Sequence, residues 1–184
     1  MMKRGHALET FLSYNSPISP MLPLSIRLAV ETNLPAINDI YNHYVLISTT
    51  SYDLEPMSIE TRRRWFASRD AIHPVTVACR GDAVVGWGSL HTFRAKPGYR
   101  FTVENSVYVH PEHQQRGVGS AILADQVQRA RQLGLHAIIA GIDAQQTASL
   151  ALHAKHGFRE VARFPQVGRK FDRWLDAIFM ELIL

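Results

Sequence analysis

Residues 103–119 read VENSVYVHPEHQQRGVG and run on into Ser120, Ala121, Ile122 and Leu123. Val103, Val107 and Val109 fall on one side of a two-residue period and Glu104, Ser106 and Tyr108 on the other, the signature of an extended strand. His110-Pro111-Glu112 closes that strand, because proline has no N–H to give a ladder and biases the residue before it away from the helical region. Gln114-Gln115-Arg116-Gly117-Val118-Gly119 follows and opens a helix. Glycines here let the backbone approach a ligand closely. The first N–H groups of the helix have no intrahelical acceptor, and the helix dipole favours an anion there. Arg116 adds a positive charge. A phosphate or pyrophosphate is the guest this pattern suits, with Gln115, Arg116, Gly117, Val118, Gly119 and Ser120 around it.

Outward from this stretch the chain alternates strands and helices. Residues 26–30 form a short strand. Residues 31–33 offer a cap to a helix on which Leu34, Ile37, Ile40, Tyr41 and Tyr44 share a face. Ser58 caps a second helix reaching about Arg69, with Glu60 in its first turn, although Thr61 stands where a full capping box needs Glu or Gln. Residues 74–79 and 83–93 are strands joined at Arg80-Gly81-Asp82. The glycine-loop helix runs from 117 to about 133 with Leu123, Val127 and Ala130 on one stripe, and Gly134 ends it. Residues 136–142 are nearly all apolar, as for a buried central strand. A helix over 147–156 ends at Gly157, and strands follow near 160–164 and 177–182. The expected fold class is α/β, a mixed central sheet flanked by α-helices in a single domain.

Composition agrees. A chain of 184 residues is of one-domain size and buries a core of its own. Hydrophobic residues make up 46% and charged residues 20%, ordinary for a water-soluble globule. No apolar run is long enough to span a membrane, so no membrane partner is expected. Cys79 is the only cysteine, which rules out an internal disulfide and suits the cytosol. It shares a strand face with Val75 and Val77 and reads as core. The net charge of +4 is not gathered into a stripe, so it fits an anionic small-molecule ligand better than nucleic acid. The one basic run, Arg62-Arg63-Arg64, reads as a solvated helix face. Residues 1–24 differ from the rest. Lys3 and Arg4 are followed by Glu9, Asn15 and prolines that break any signal-peptide core, so this stretch reads as a poorly ordered extension, or a start upstream of Met21. The domain proper is expected over 25–184.

The glycine loop carries a resemblance. Gln-x-x-Gly-x-Gly directly after a strand and opening a helix resembles the acetyl-coenzyme A loop of the GNAT N-acetyltransferases. It lacks the third glycine of a dinucleotide fingerprint and the Gly-Lys-Ser/Thr of a P-loop. Gln146-x-x-Ser149-x-x-x-His153-x-x-x-Gly157-Phe158 resembles the superfamily pattern Asn-x-x-Ala/Ser-x-x-x-Tyr-x-x-x-Gly-Phe. The tail from Gln166 to Asp176 resembles the phosphinothricin and methionine sulfoximine acetyltransferase branch, and the likeness covers about 26–184.

The resemblance implies acetyl-coenzyme A as cosubstrate, with no metal. The amine acceptor it implies is small and amino-acid-like, of the phosphinothricin, methionine sulfoximine or methionine sulfone type. It implies that the strand carrying Val107, Tyr108 and Val109 splays from its neighbour to hold the pantetheine arm. Glu104 matches the branch's glutamate and is the candidate general base. The alternative is a surface glutamate paired with Arg94 or Arg100. His153 stands where many members have tyrosine; it is a candidate acid or base, or a packed helix histidine. Gln146 replaces the usual cofactor-contacting asparagine with a side chain one methylene longer. By resemblance Pro97, Gly98, Tyr99, Glu104, Asn105 and Ser106 line the acceptor pocket, with Arg94 beside them. Arginines there suit a carboxylate-bearing acceptor. Residues 42–44 and 48–52 are expected to cover the same pocket. The histidine pairs His153/His156 and His110/His113 lack a third ligand and are not read as metal sites. The branch implies a homodimer. A GNAT enzyme acting on a protein amine, or a non-catalytic cofactor-binding domain, are the alternatives.

Overall fold

The computed structural model describes residues 22–184; of the extension expected over 1–24, residues 1–21 lie outside the described residues. Seven strands form one sheet: β1 (Leu24–Leu28), β2 (Val75–Arg80), β3 (Ala83–Thr92), β4 (Thr102–Val109), β5 (Ala137–Asp143), β6 (Arg159–Lys170) and β7 (Arg173–Ile183). Four helices cover it: α1 (Leu34–Ile47), α2 (Ile59–Ala67), α3 (Val118–Gln132) and α4 (Thr147–Lys155). The strand order is β1-β2-β3-β4-β5-β7-β6. All neighbours are antiparallel except β4 and β5.

The core has two sides. On one, α1 and α2 close over Val75, Val77, Cys79, Trp87 and Tyr108, which confirms Cys79 as core. On the other, Leu123, Val127 and Ala130 of α3 pack with Ile138, Ala140 and Ile142 of β5 and with Phe158. Both faces of β4 are therefore covered: its valine side meets α3, and Tyr108 on the other side lies in the α1 layer.

Several boundaries differ from the sequence reading. β1 begins at Leu24, two residues before the expected start and inside the stretch assigned to the extension. α2 stops at Ala67 rather than Arg69, with its N-cap as expected: Ser58 accepts from the N–H of Thr61. The last two strands are a long hairpin, because β6 is an edge strand whose exposed, polar-rich run carries no alternation to read. The larger correction concerns Arg62. It is 2% exposed, whereas Arg63 and Arg64 face solvent. A three-residue run on a helix points three ways, and the first points at the sheet. There its guanidinium lies over Tyr41, Trp65 and Trp87 at 4.5, 4.8 and 5.4 Å.

Candidate active site

The site opens where β4 and β5 part. The two strands pair only over Thr102–Glu104 and Ala137–Ile139, and the last pair is Glu104 with Ile139. Beyond it β4 keeps its partner on the β3 side and, among the described residues, has no strand partner on the other. A cavity of about 470 Å³ fills the wedge. Glu104, Asn105, Ser106, Val107 and Tyr108 line it from β4, Gly141 and Asp143 from β5, Gln146, Ser149 and His153 from α4, and residues 49–53 from above.

Glu104 thus stands at the fork. Its carboxylate faces the cavity and lies 3.7 Å from His91 Nε2, the residue opposite it on β3. Neither Arg94 nor Arg100 pairs with it among the described residues. His91 was missed by sequence reasoning, since only the β3–β4 register puts it there. Asp53 and Asp143 add two more carboxylates to the wall. Asp53 accepts from the Tyr41 hydroxyl at 2.6 Å, and burial with this bond pushes Tyr41 up to about 12. Tyr52 is also pushed up to about 12, by burial and by the neighbouring Asp143. A wall of carboxylates and neutral phenols favours an ammonium group.

His153 is buried and its bonds fix its tautomer. Nδ1 donates to the Ser149 carbonyl at 2.8 Å, so Nε2 is bare and accepts from Asn105 Nδ2 at 3.1 Å. The same Asn105 amide donates to Gln126 Oε1, and Gln126 donates to the Ser106 carbonyl. Burial holds the imidazole below its ordinary pKa, in the neutral form. His153 therefore braces Asn105 and β4 and holds no spare proton at neutral pH. Asn105 lies on the opposite face of β4 from Glu104, where the pleat puts it.

The glycine loop folds as the sequence requires. Gly117 has φ +79° and caps α3 in the left-handed region, which a side chain resists. Its position is otherwise open, with nothing within 4 Å of an added Cβ. Gly119 is close-packed instead: a Cβ there meets Leu152 at 3.3 Å. The Ser120 hydroxyl is engaged with His156 Nε2 at 2.8 Å, which leaves its backbone N–H in the first helical turn. Arg116 and Gln115 are exposed in the loop. Tyr44 ties this end together, donating to the Val109 carbonyl and accepting from Gln114. The Tyr108 ring stacks on Trp87 at 4.8 Å.

Other expected residues are placed differently. Gln146 does line the cavity, but its amide reaches across to Thr49 Oγ1 at 3.1 Å. Arg94, Pro97, Gly98 and Tyr99 are exposed in the β3–β4 connection and line no part of the cavity. Arg94 lies over Phe93, and Tyr99 packs edge-on against that ring. Asn42 is occupied by the backbone of Met57, whereas residues 49–52 do cover the site.

Known proteins resemble this chain in sequence and fold. The model of the Acetyltransferase (GNAT) family matches residues 37–158. The L-amino acid N-acyltransferase MnaT of Escherichia coli is 43% identical over 88% of this chain and 94% of its own. The L-methionine sulfoximine/L-methionine sulfone acetyltransferase of Salmonella typhimurium is 41% identical over 88% and 95%. The phosphinothricin N-acetyltransferase of Streptomyces coelicolor is 37% identical over 86% and 95%. An acetyltransferase from Salmonella typhimurium, solved with its cofactor acetyl-CoA, superposes with a TM-score of 0.84 at 41% identity, covering 88% of this chain and 94% of that one. A ribosomal-protein-alanine N-acetyltransferase from Brucella melitensis superposes at 0.85 with 41% identity, covering 87% and 99%. The chain belongs to the GNAT acetyltransferase family. It is an acetyl-coenzyme A-dependent N-acetyltransferase.

Proposed function

We propose that the protein acetylates the α-amino group of a small amino-acid-like acceptor by direct attack on acetyl-coenzyme A, with Glu104 as the base. The position of Glu104 at the β4–β5 fork carries this reading. A pantetheine arm held between the parted strands would present its acyl group beside that carboxylate. Glu104 takes a proton from the ammonium, the free amine attacks the thioester carbonyl, the C–N bond forms and the C–S bond breaks. As the C–S bond breaks, the nitrogen gives up its second proton to the departing thiolate, and Glu104 returns the first to solvent. The pyrophosphate is held by the N–H groups of 115–120, with Arg116 adding charge. Gln146 and the unpaired edge of Val107, Tyr108 and Val109 hold the arm. His153 and Asn105 position that edge, and Ser106 faces the acceptor.

The small acceptor is supported by the relatives' substrates, methionine sulfoximine, methionine sulfone and phosphinothricin. The experiment is initial rates of thiol release over a panel of free amino acids and these analogues, set against N-terminal peptides. Turnover of peptides alone would put the protein with the ribosomal-protein-alanine enzymes instead.

The lone cysteine supports a cytosolic setting. The exposed Phe164, Val167, Phe171 and Trp174 on β6, β7 and the turn between them support a homodimer. A monomeric mass by light scattering at micromolar concentration would contradict the dimer.

A further inference from the structure

Residues 49–53 line the cavity without a helix or strand of their own, so their place depends on what grips them. α1 does so through Tyr41, whose hydroxyl bonds to Ser51 Oγ at 2.9 Å and to Asp53. Gln146, at the start of α4, holds Thr49. The third grip comes from the far end of the chain. Lys170, the last residue of β6, is 4% exposed, whereas its neighbours Arg169 and Phe171 face solvent. Its Nζ donates to the Ser51 carbonyl at 2.7 Å, across 119 residues of sequence. Burial disfavours its charge, and the Asp53 carboxylate of the same loop favours it. A buried ammonium is costly unless it is bonded, so a lysine here serves its bond rather than its packing. Gly168 lies two residues earlier and so on the same strand face. The ring of Tyr52 rests against it: a Cβ at 168 would come within 2.6 Å of Tyr52 Cε2. Gly168 pairs with Leu175 and Lys170 with Arg173, and the two-residue turn between Lys170 and Arg173 has φ of +51° at Phe171 and +56° at Asp172. Positive φ at both positions suits the twist of a tight hairpin, although a phenylalanine resists that conformation. The turn fixes the register, and the register fixes which side chains of β6 face the loop.

We infer that Lys170 is a positioning residue for the acetyl transfer: with Gly168 it seats the 49–53 loop as a wall of the acceptor cavity. The inference rests on the reading that the cavity beside Glu104 takes the acceptor. Ser51 is the centre of the seat. Its carbonyl is held by Lys170 and its hydroxyl by Tyr41, and that hydroxyl also accepts from the N–H of Asp53 at 3.1 Å. Ser51 is buried, so releasing its carbonyl leaves an unmet acceptor and frees the loop to turn about the Tyr41 bond. Tyr52 and Asp53 then lose their places in the wall. The glycine loop and the free edge of β4 take no part in the contacts of Lys170 and Gly168, so the coenzyme end should not register the loss.

Two variants of the full chain test this. Lys170→Met keeps the buried stem and removes the donor. Gly168→Ala leaves Lys170 intact and pushes on Tyr52 instead. Steady-state kinetics use acetyl-coenzyme A with methionine sulfone as the acceptor. Losing a hydrogen bond from a charged group costs roughly ten- to a hundredfold. The methionine sulfone KM of Lys170→Met should rise by that factor and that of Gly168→Ala by a smaller one, while the acetyl-coenzyme A KM of both should hold. A rise in both KM values together, or a lower melting temperature with neither KM changed, means that Lys170 only supports the fold, and overturns the inference. The second measurement, amide hydrogen exchange, needs no turnover. Residues 50–53 should exchange faster in Lys170→Met than in the wild type, while 115–120 keep their rates. Unchanged exchange at 50–53 overturns the inference. If the wild-type chain does not acetylate methionine sulfone, the acceptor reading falls, and faster exchange at 50–53 still assigns Lys170 as the seat of the loop.

Discussion

The two ends of the cleft are built in opposite ways. The proposed coenzyme end is one contiguous strand, loop and helix, and the role proposed for it lies in backbone geometry: φ at Gly117, the first N–H groups of α3, the unpaired edge of β4. The proposed acceptor end is assembled from β3, β4, β5 and the 49–53 loop, and the role proposed for it lies in side chains brought together from afar. A backbone site tolerates exchange of most of its side chains but not a change in dihedral angle. A side-chain site is the reverse. Substitutions at the two ends should therefore separate cleanly between the two substrates.

The sharpest test falls at the fork, where the ends meet. Glu104→Gln should keep the fold and coenzyme binding while kcat falls by about 10²–10⁴, the usual contribution of a general base. The deficit should narrow as pH rises and free amine no longer needs a base. A kcat near that of the wild type, with chemistry rate-limiting, would reduce Glu104 to a wall of the pocket.

At the coenzyme end Gly117→Asp should weaken coenzyme binding by tenfold or more, while acceptor recognition changes little. The cause is not crowding, since a Cβ meets nothing there. It is the left-handed φ, which costs a non-glycine residue about 1–3 kcal/mol, and a carboxylate beside a pyrophosphate. Unchanged affinity by calorimetry would remove the phosphate assignment.

His153 tests whether bracing and chemistry can be told apart. His153→Gln should lower kcat by less than about tenfold, well short of an essential proton donor. A hundredfold loss would restore an acid role. The histidine also writes a pH dependence. Its folded pKa is depressed, so the unfolded chain binds the proton more readily. Its contribution is present above the ordinary value of 6.5 and is lost as pH falls from there through the folded value. His113 and His156 are shifted in the same direction, so His153→Gln should reduce the acid-side slope without abolishing it. Urea midpoints measured across that window check this.

The smallest effect is expected at Ser58, which caps the helix that carries Arg62. Ser58→Ala should cost about 1 kcal/mol in thermal unfolding and leave coenzyme affinity alone. If it raises the acceptor KM as well, the acceptor end depends on α2 more loosely held than its packing shows.

The sequence by itself determined the strand, glycine loop and helix of the proposed coenzyme end, the α/β order of elements and the core role of Cys79. Each of these is local: a period of two or 3.6, a proline, a glycine at a turn. It also marked Glu104, because that residue lies inside the same strand. The tertiary structure alone decided the rest. Arg62 and Arg63 are chemically identical in the sequence, and only the sheet beneath α2 makes one a buried cation and the other a solvated one. His91 meets Glu104 only through the β3–β4 register. Arg94 and Tyr99 are near Glu104 in the chain but turn away from the cavity with their connection, while Asp53 and Asp143 are distant in the chain and enter it. A proton's place on His153 depends on which carbonyl and which amide face it. Contacts made across layers depend on where the layers come to rest, and no spacing along one strand or helix records that.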